Sequence, residues 1–146
     1  VGFGGLVDGT EGDMIKTRFL KFWSVAVGSM DALTGLLLIF APASVLRLLQ
    51  VEAPSADALV YLSWIGVFVT AVGLSYGFAL GKRRVAGETV WMFTALVRML
   101  VAVFLVIQIT RGTMAPPWIA VALSDGVVAL VQMTILRKGW WREGPR

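Results

Sequence analysis

The sequence predicts an all-α, polytopic membrane protein: a four-transmembrane-helix bundle with a short interfacial helix in its first outer loop. Three observations point there. The 146 residues are 58% apolar and 15% charged, against about 45–50% and about 25% in an ordinary soluble domain, and a soluble domain this small cannot hide the surplus. Four runs of roughly 20 mostly apolar residues occur, each long enough to cross roughly 30 Å of hydrocarbon. Each run closes on a helix-stopping or charged signal.

The elements follow in order. Residues 1–21 form a cytoplasmic N-terminal segment. Its first thirteen residues hold five glycines and three acids and lack a helical period. Val1 is not an initiator methionine, so the expected start lies either upstream or at Met14, where Met14-Ile15-Lys16 with Arg18 and Lys21 has the look of a natural beginning. The transmembrane domain covers 22–138, with spans at about 22–40, 59–80, 90–109 and 118–136. The first span ends at Ala41-Pro42, and its full-length apolar run sets it apart from a secretory signal. Residues 42–51 then read as a short amphipathic helix lying in the outer interface: Pro42 stands at its start, and Ser44, Arg47 and Gln50 recur every third residue. Gly81 and Lys82-Arg83-Arg84 close the second span, and Thr110-Arg111-Gly112 closes the third. The fourth begins after Pro116-Pro117 and stops before Arg137-Lys138, leaving residues 139–146 as a cytoplasmic tail.

Orientation follows from the cations. Ten Lys and Arg residues fall on the side of the termini and only Arg47 and Arg111 on the other, which places both termini in the cytoplasm. The net charge of +4 is then a topology signal and an attraction to anionic lipid, not a nucleic-acid footprint. Trp23, Trp91, Trp140 and Trp141 at one side and Trp118 at the other read as interface anchors, since amphipathic rings favour the headgroup level.

Helices in lipid associate through close backbone approach and buried polar contacts. Gly28 and Gly35 lie on one stripe of the first span with Ser24 and Asp31. Gly66, Gly73, Gly77 and Gly81 lie on one stripe of the second. Three ionisable residues fall inside the predicted hydrocarbon: Asp31, Arg98 and Asp125. Each costs at least about 2.5–3.5 kcal/mol near the helix centre, so each is expected to face inward and find a partner. At 1.5 Å per residue Asp31 and Arg98 sit about 14 Å and roughly 12 Å from the cytoplasmic side, with Asp125 about 8 Å further out. Gln132, two turns from Asp125 on the same face, returns to the level of Arg98. The expected arrangement is an Asp–Arg–Asp clamp, with a proton or ligand site as the competing use of the same three charges. No internal repeat between the two halves is evident.

The chain has no cysteine and no histidine. That removes disulfides, thiolate metal sites and the usual haem, copper and zinc ligand, together with the usual general base near neutral pH. No phosphate-binding loop, G-x-S-x-G nucleophile elbow, HExxH motif or dinucleotide fingerprint in a strand–helix context is expected. The expectation is a non-enzymatic protein without an intrinsic cofactor or metal, with lipid, quinone or pigment contact at its surface.

The layout resembles small four-helix bacterial inner-membrane proteins of the DoxX-like type over about residues 19–138. The likeness rests on Ala41-Pro42, Val45-Leu46, Leu48-Leu49-Gln50-Val51, the glycines Gly66 and Gly73, Arg98, and Ser124-Asp125-Gly126. It implies a four-helix membrane fold and, because some members are partner subunits of quinone or respiratory complexes, an accessory role. The expected function is a structural subunit of a larger membrane complex, respiratory or photosynthetic, with lipids and other membrane subunits as partners. The alternatives are a small proton-coupled transporter and a lipid- or quinone-binding module.

Overall fold

A computed structural model describes residues 5–52, 55–81 and 83–142, with side chains from residue 11 onward. Among them there is no strand. The elements are α1 (Gly5–Phe40), α2 (Pro42–Leu48), α3 (Ala56–Ala79), α4 (Arg84–Thr110), a 3-10 turn (Pro116–Trp118) and α5 (Ile119–Arg137). Four helical segments are long and apolar enough to cross a membrane: Glu11–Phe40, Ala56–Ala79, Arg84–Thr110 and Pro116–Arg137.

Helix stops follow local chemistry. Gly112 and Gly139 take φ of +70° just past α4 and α5, the left-handed conformation that ends a helix and suits a residue without Cβ. Ser55 accepts from the Ala58 N–H and caps α3. Pro42 opens α2, where its missing N–H removes nothing from the helix. α2 buries Leu46 against the bundle.

Two helix starts depart from the sequence reading: α4 begins at Arg84 rather than near Val90, and α1 is longer still. α1 begins at Gly5, well before the aperiodic glycine-rich segment was expected to end. Extending a nucleated helix fixes one residue per hydrogen bond gained, so a long apolar helix can carry weak formers at its end. Asp13 and Lys16 add an ion pair at 3.8 Å, one turn apart.

The interior is assembled from one stripe per helix. On α1 it runs Leu20, Ser24, Val27, Gly28, Asp31, Gly35, Leu38. On α4 it runs Gly87, Trp91, Thr94, Ala95, Arg98, Ala102, Leu105. α3 buries Gly66, Gly73, Tyr76 and Ala79, and α5 buries Ala122, Val128, Ala129, Gln132 and Ile135. Steps of three and four residues keep each stripe on one side of a 3.6-residue helix. α1 packs mainly on α3 and α4 mainly on α5, giving two helical hairpins. The outward faces carry large apolar side chains, among them Phe22, Trp64, Phe68, Phe93 and Phe104.

The α1–α3 contact is backbone against backbone. A Cβ on Gly73 would lie 2.7 Å from the Gly28 carbonyl oxygen, and one on Gly66 would lie 2.7 Å from that of Gly35. Gly77 and Gly81 are different: a Cβ on Gly77 meets nothing within 4 Å, and one on Gly81 meets only the Phe78 carbonyl at 3.4 Å. Steps of four turn by about 40° beyond a full circle, so a strict four-residue stripe walks off the α1 contact. Gly66 and Gly73, seven apart, stay on it.

Candidate functional site: a buried polar column

Arg98 comes from the middle of α4 and is buried in the bundle, 4% exposed. Nη2 donates to Asp31 Oδ2 on α1 and Nη1 donates to Asp125 Oδ1 on α5. One cation thus ties three helices, and the fork geometry of guanidinium allows two carboxylates to be held at once. Arg98 Nε is buried and has no hydrogen-bond partner.

One turn towards the α3–α4 end lies a second polar layer. Gln132 Nε2 donates to the Tyr76 hydroxyl at 2.8 Å and, at 3.4 Å, to Thr94 Oγ1. Thr94 in turn donates to the Val90 carbonyl at 2.8 Å. Gln132 is therefore part of the column but not of the ionic layer. Tyr76, at 1% exposure, was not singled out from the sequence. The pointer was available: it stands three residues after Gly73, on the α3 stripe. A third layer follows, where Trp91 Nε1 donates to Ser24 Oγ at 2.9 Å.

Two expected interface anchors belong instead to the core. Trp91 is 0% exposed and Trp141 is 6% exposed. The reason is the turn at Gly139, which folds the tail back so that the Trp141 ring stands edge-on to Trp91 with centroids 5.5 Å apart. Gly87 makes the seat: a Cβ there would lie 2.9 Å from Trp141 Cε3 and closer still to Cζ3 and Cη2. Trp23, Trp118 and Trp140 are half-buried. Trp23 stacks on Phe19, and Trp140 meets the same ring edge-on.

At this end Arg142 Nη2 and Nε reach Glu88 Oε1 at 2.7 and 2.8 Å. The hydrogen bond to Glu88, and then its charge, raise the guanidinium pKa above its ordinary value. A cavity of about 200 Å³ opens beside Lys21, Arg84 and Trp141. Another, of about 240 Å³, lies at the α2 end between Leu46, Tyr61, Ile65 and Trp118. Neither touches Asp31, Arg98 or Asp125. Among the described residues no group of three His, Cys, Asp or Glu side chains is placed to hold a metal.

One motif corrects the expectation that no G-x-S-x-G is present. Gly73-Leu74-Ser75-Tyr76-Gly77 has G-x-S-x-G spacing. A nucleophile elbow requires a strand-to-helix turn and a base, whereas Ser75 lies within α3 and its Oγ donates to the Val72 carbonyl at 2.7 Å. The spacing here follows from the α3 packing stripe.

No family model, curated protein or solved structure matches this chain.

Proposed function

We propose that this chain is a non-catalytic accessory subunit of a larger membrane complex, respiratory or photosynthetic. In this reading it crosses the bacterial inner membrane four times, with both termini in the cytoplasm. The observation that carries the reading is the engagement of both terminal nitrogens of Arg98 by Asp31 and Asp125. Charges that a carrier or an enzyme would keep for its substrate are used here to hold α1, α4 and α5 in register. Such a bundle presents a rigid apolar outer wall to lipid and to neighbouring subunits. The likeness to DoxX-like proteins supports the same assignment.

A second reading, a small proton-coupled transporter, has its own support. Two carboxylates face one cation, and Arg98 Nε and Gln132 Oε1 are buried without partners, which leaves polar capacity for a further occupant. The α2-end cavity supports a lipid- or quinone-binding module less well, because ligand pockets generally exceed about 300 Å³.

Purification in mild detergent separates these readings. A subunit co-elutes with other membrane polypeptides at fixed stoichiometry, whereas elution as a lone four-helix protein would refute the assignment. Variants then test the clamp. Arg98→Leu leaves two buried carboxylates without a cation and should destabilise the bundle by about 3–5 kcal/mol, the usual cost of breaking a buried pair. Asp125→Asn keeps an acceptor for Arg98 and should cost less. A transporter predicts instead that Asp125→Asn or Asp31→Asn melts like the parent yet abolishes proton uptake into vesicles.

A further inference from the structure

We infer that the chain is a fused pair of equivalent helical hairpins, α1–α3 and α4–α5, docked about a pseudo-twofold axis, with the inner face of each hairpin serving as the recognition surface for the other. This goes beyond the accessory-subunit reading and does not depend on it.

The register is the first observation. Every buried position of α1 between Leu20 and Leu38 has a buried counterpart on α4, 67 residues later, and α4 buries no others. The four buried positions of α3 have buried counterparts on α5, 56 residues later. The offset falls from 67 to 56 because the first hairpin's connection carries α2.

Two amphipathic helices can share a stripe by geometry alone. The pairing is what geometry alone does not provide. Ser24–Trp91, Asp31–Arg98 and Tyr76–Gln132 are hydrogen bonds between the hairpins, and each joins a residue to its own counterpart. In an interface with twofold symmetry a contact of i with j is repeated as j with i, and only at the axis does a residue meet its own equivalent. Three such meetings, one per polar layer, place the axis along the column; away from it the correspondence is incomplete, since α3 packs on α4 whereas the backbones of α1 and α5 stay apart. Arg98–Asp125 and Thr94–Gln132, by contrast, both lie within the second hairpin.

Packing inside the hairpins follows the same correspondence. A Cβ on Gly35 would clash with Thr70 of the first hairpin. Their counterparts in the second are Ala102 and Gly126, where a Cβ on Gly126 would stand 3.8 Å from that of Ala102. Small and larger residues have changed places across an equivalent contact.

On the axis the counterparts cannot all be identical. Identical residues there would set Asp against Asp or Arg against Arg, so complementarity requires the counterparts to differ. Asp31 opposite Arg98 makes each hairpin a partner for the other and penalises pairing with its own copy.

The test uses the full-length chain. On a twofold axis, exchanging two counterparts returns the same pair turned through half a circle. Tyr76→Gln and Gln132→Tyr are each expected to lower the melting temperature in detergent by roughly 5 °C or more, since each changes buried volume and disturbs the shared hydrogen bond. The double exchange should recover most of that loss. A double variant no better than the worse single would overturn the inference. If a single variant does not fold, a second measurement decides. A protease site is placed in the turn at residues 81–83 of the otherwise unchanged chain and cut after purification. The two fragments should then co-elute in detergent, and the added change Arg98→Asp should release them. Fragments that separate in the parent, or stay together with Arg98→Asp, would equally overturn it.

Discussion

Gly73 and Gly77 stand four residues apart on α3, and a methyl group added to each would have opposite effects. At Gly73 the new Cβ would lie 2.7 Å from the Gly28 carbonyl oxygen and 2.8 Å from Ala32 Cα, and nearer still to Ala32 N. All three are backbone atoms of α1, so no rotamer change relieves them and the helices must move apart. Overpacking of this kind costs about 1–3 kcal/mol, and a rigid backbone contact puts Gly73→Ala at the upper end. The helix-propensity gain of about 1 kcal/mol for Gly to Ala offsets only part of it. At Gly77 nothing lies within 4 Å, so that gain stands alone. Gly73→Ala is therefore expected to lose about 1–2 kcal/mol net, and Gly77→Ala to hold or gain up to about 1 kcal/mol. Reversible unfolding in mixed micelles, followed by tryptophan fluorescence, measures both. Equal losses at the two sites would mean that α3 packs along the whole four-residue stripe and would refute the α1–α3 register centred on Gly66 and Gly73. A loss at Gly77 alone would say the same more strongly.

Gly87→Val should expel the Trp141 ring from its seat and cost about as much as Trp141→Ala, roughly 3 kcal/mol or more, and the two changes together should cost little more than one; double-variant melting checks this. Reporter fusions at Arg84 and Arg146 should read cytoplasmic, and fusions at Pro54 and Gly112 periplasmic; a periplasmic C-terminus would mean an odd number of crossings. Glu88 raises the proton affinity of Arg142, so whatever the pair contributes is fully present below the ordinary guanidinium pKa and is lost only as pH rises through the raised one. Melting curves of Glu88→Gln and the parent should therefore keep a constant offset between about pH 6 and 9, and that offset should shrink with added salt.

Much of the molecule was determined by sequence alone, because hydrophobic run length and breakers act locally. The four apolar segments, the α2 helix behind Pro42 and the stops at Thr110-Arg111-Gly112 and before Arg137-Lys138 needed nothing beyond the order of residues. The charged layer was also readable: Asp31, Arg98 and Asp125 were too costly to leave in hydrocarbon, and rise per residue put them within reach of one another. Tertiary structure decided what depends on angle rather than on depth. Gly77 and Gly81 share a sequence stripe with Gly73, but the crossing of α1 and α3 leaves them outside the contact. Trp91 and Trp141 sit at the depth of interface anchors, yet helix rotation and the Gly139 turn carry them inside. Tyr76 joins Gln132 through a contact 56 residues apart in the chain. Ser24–Trp91, Asp31–Arg98 and Tyr76–Gln132 could not be read as counterparts from the sequence, because residues that meet must complement one another and complementary residues do not look alike.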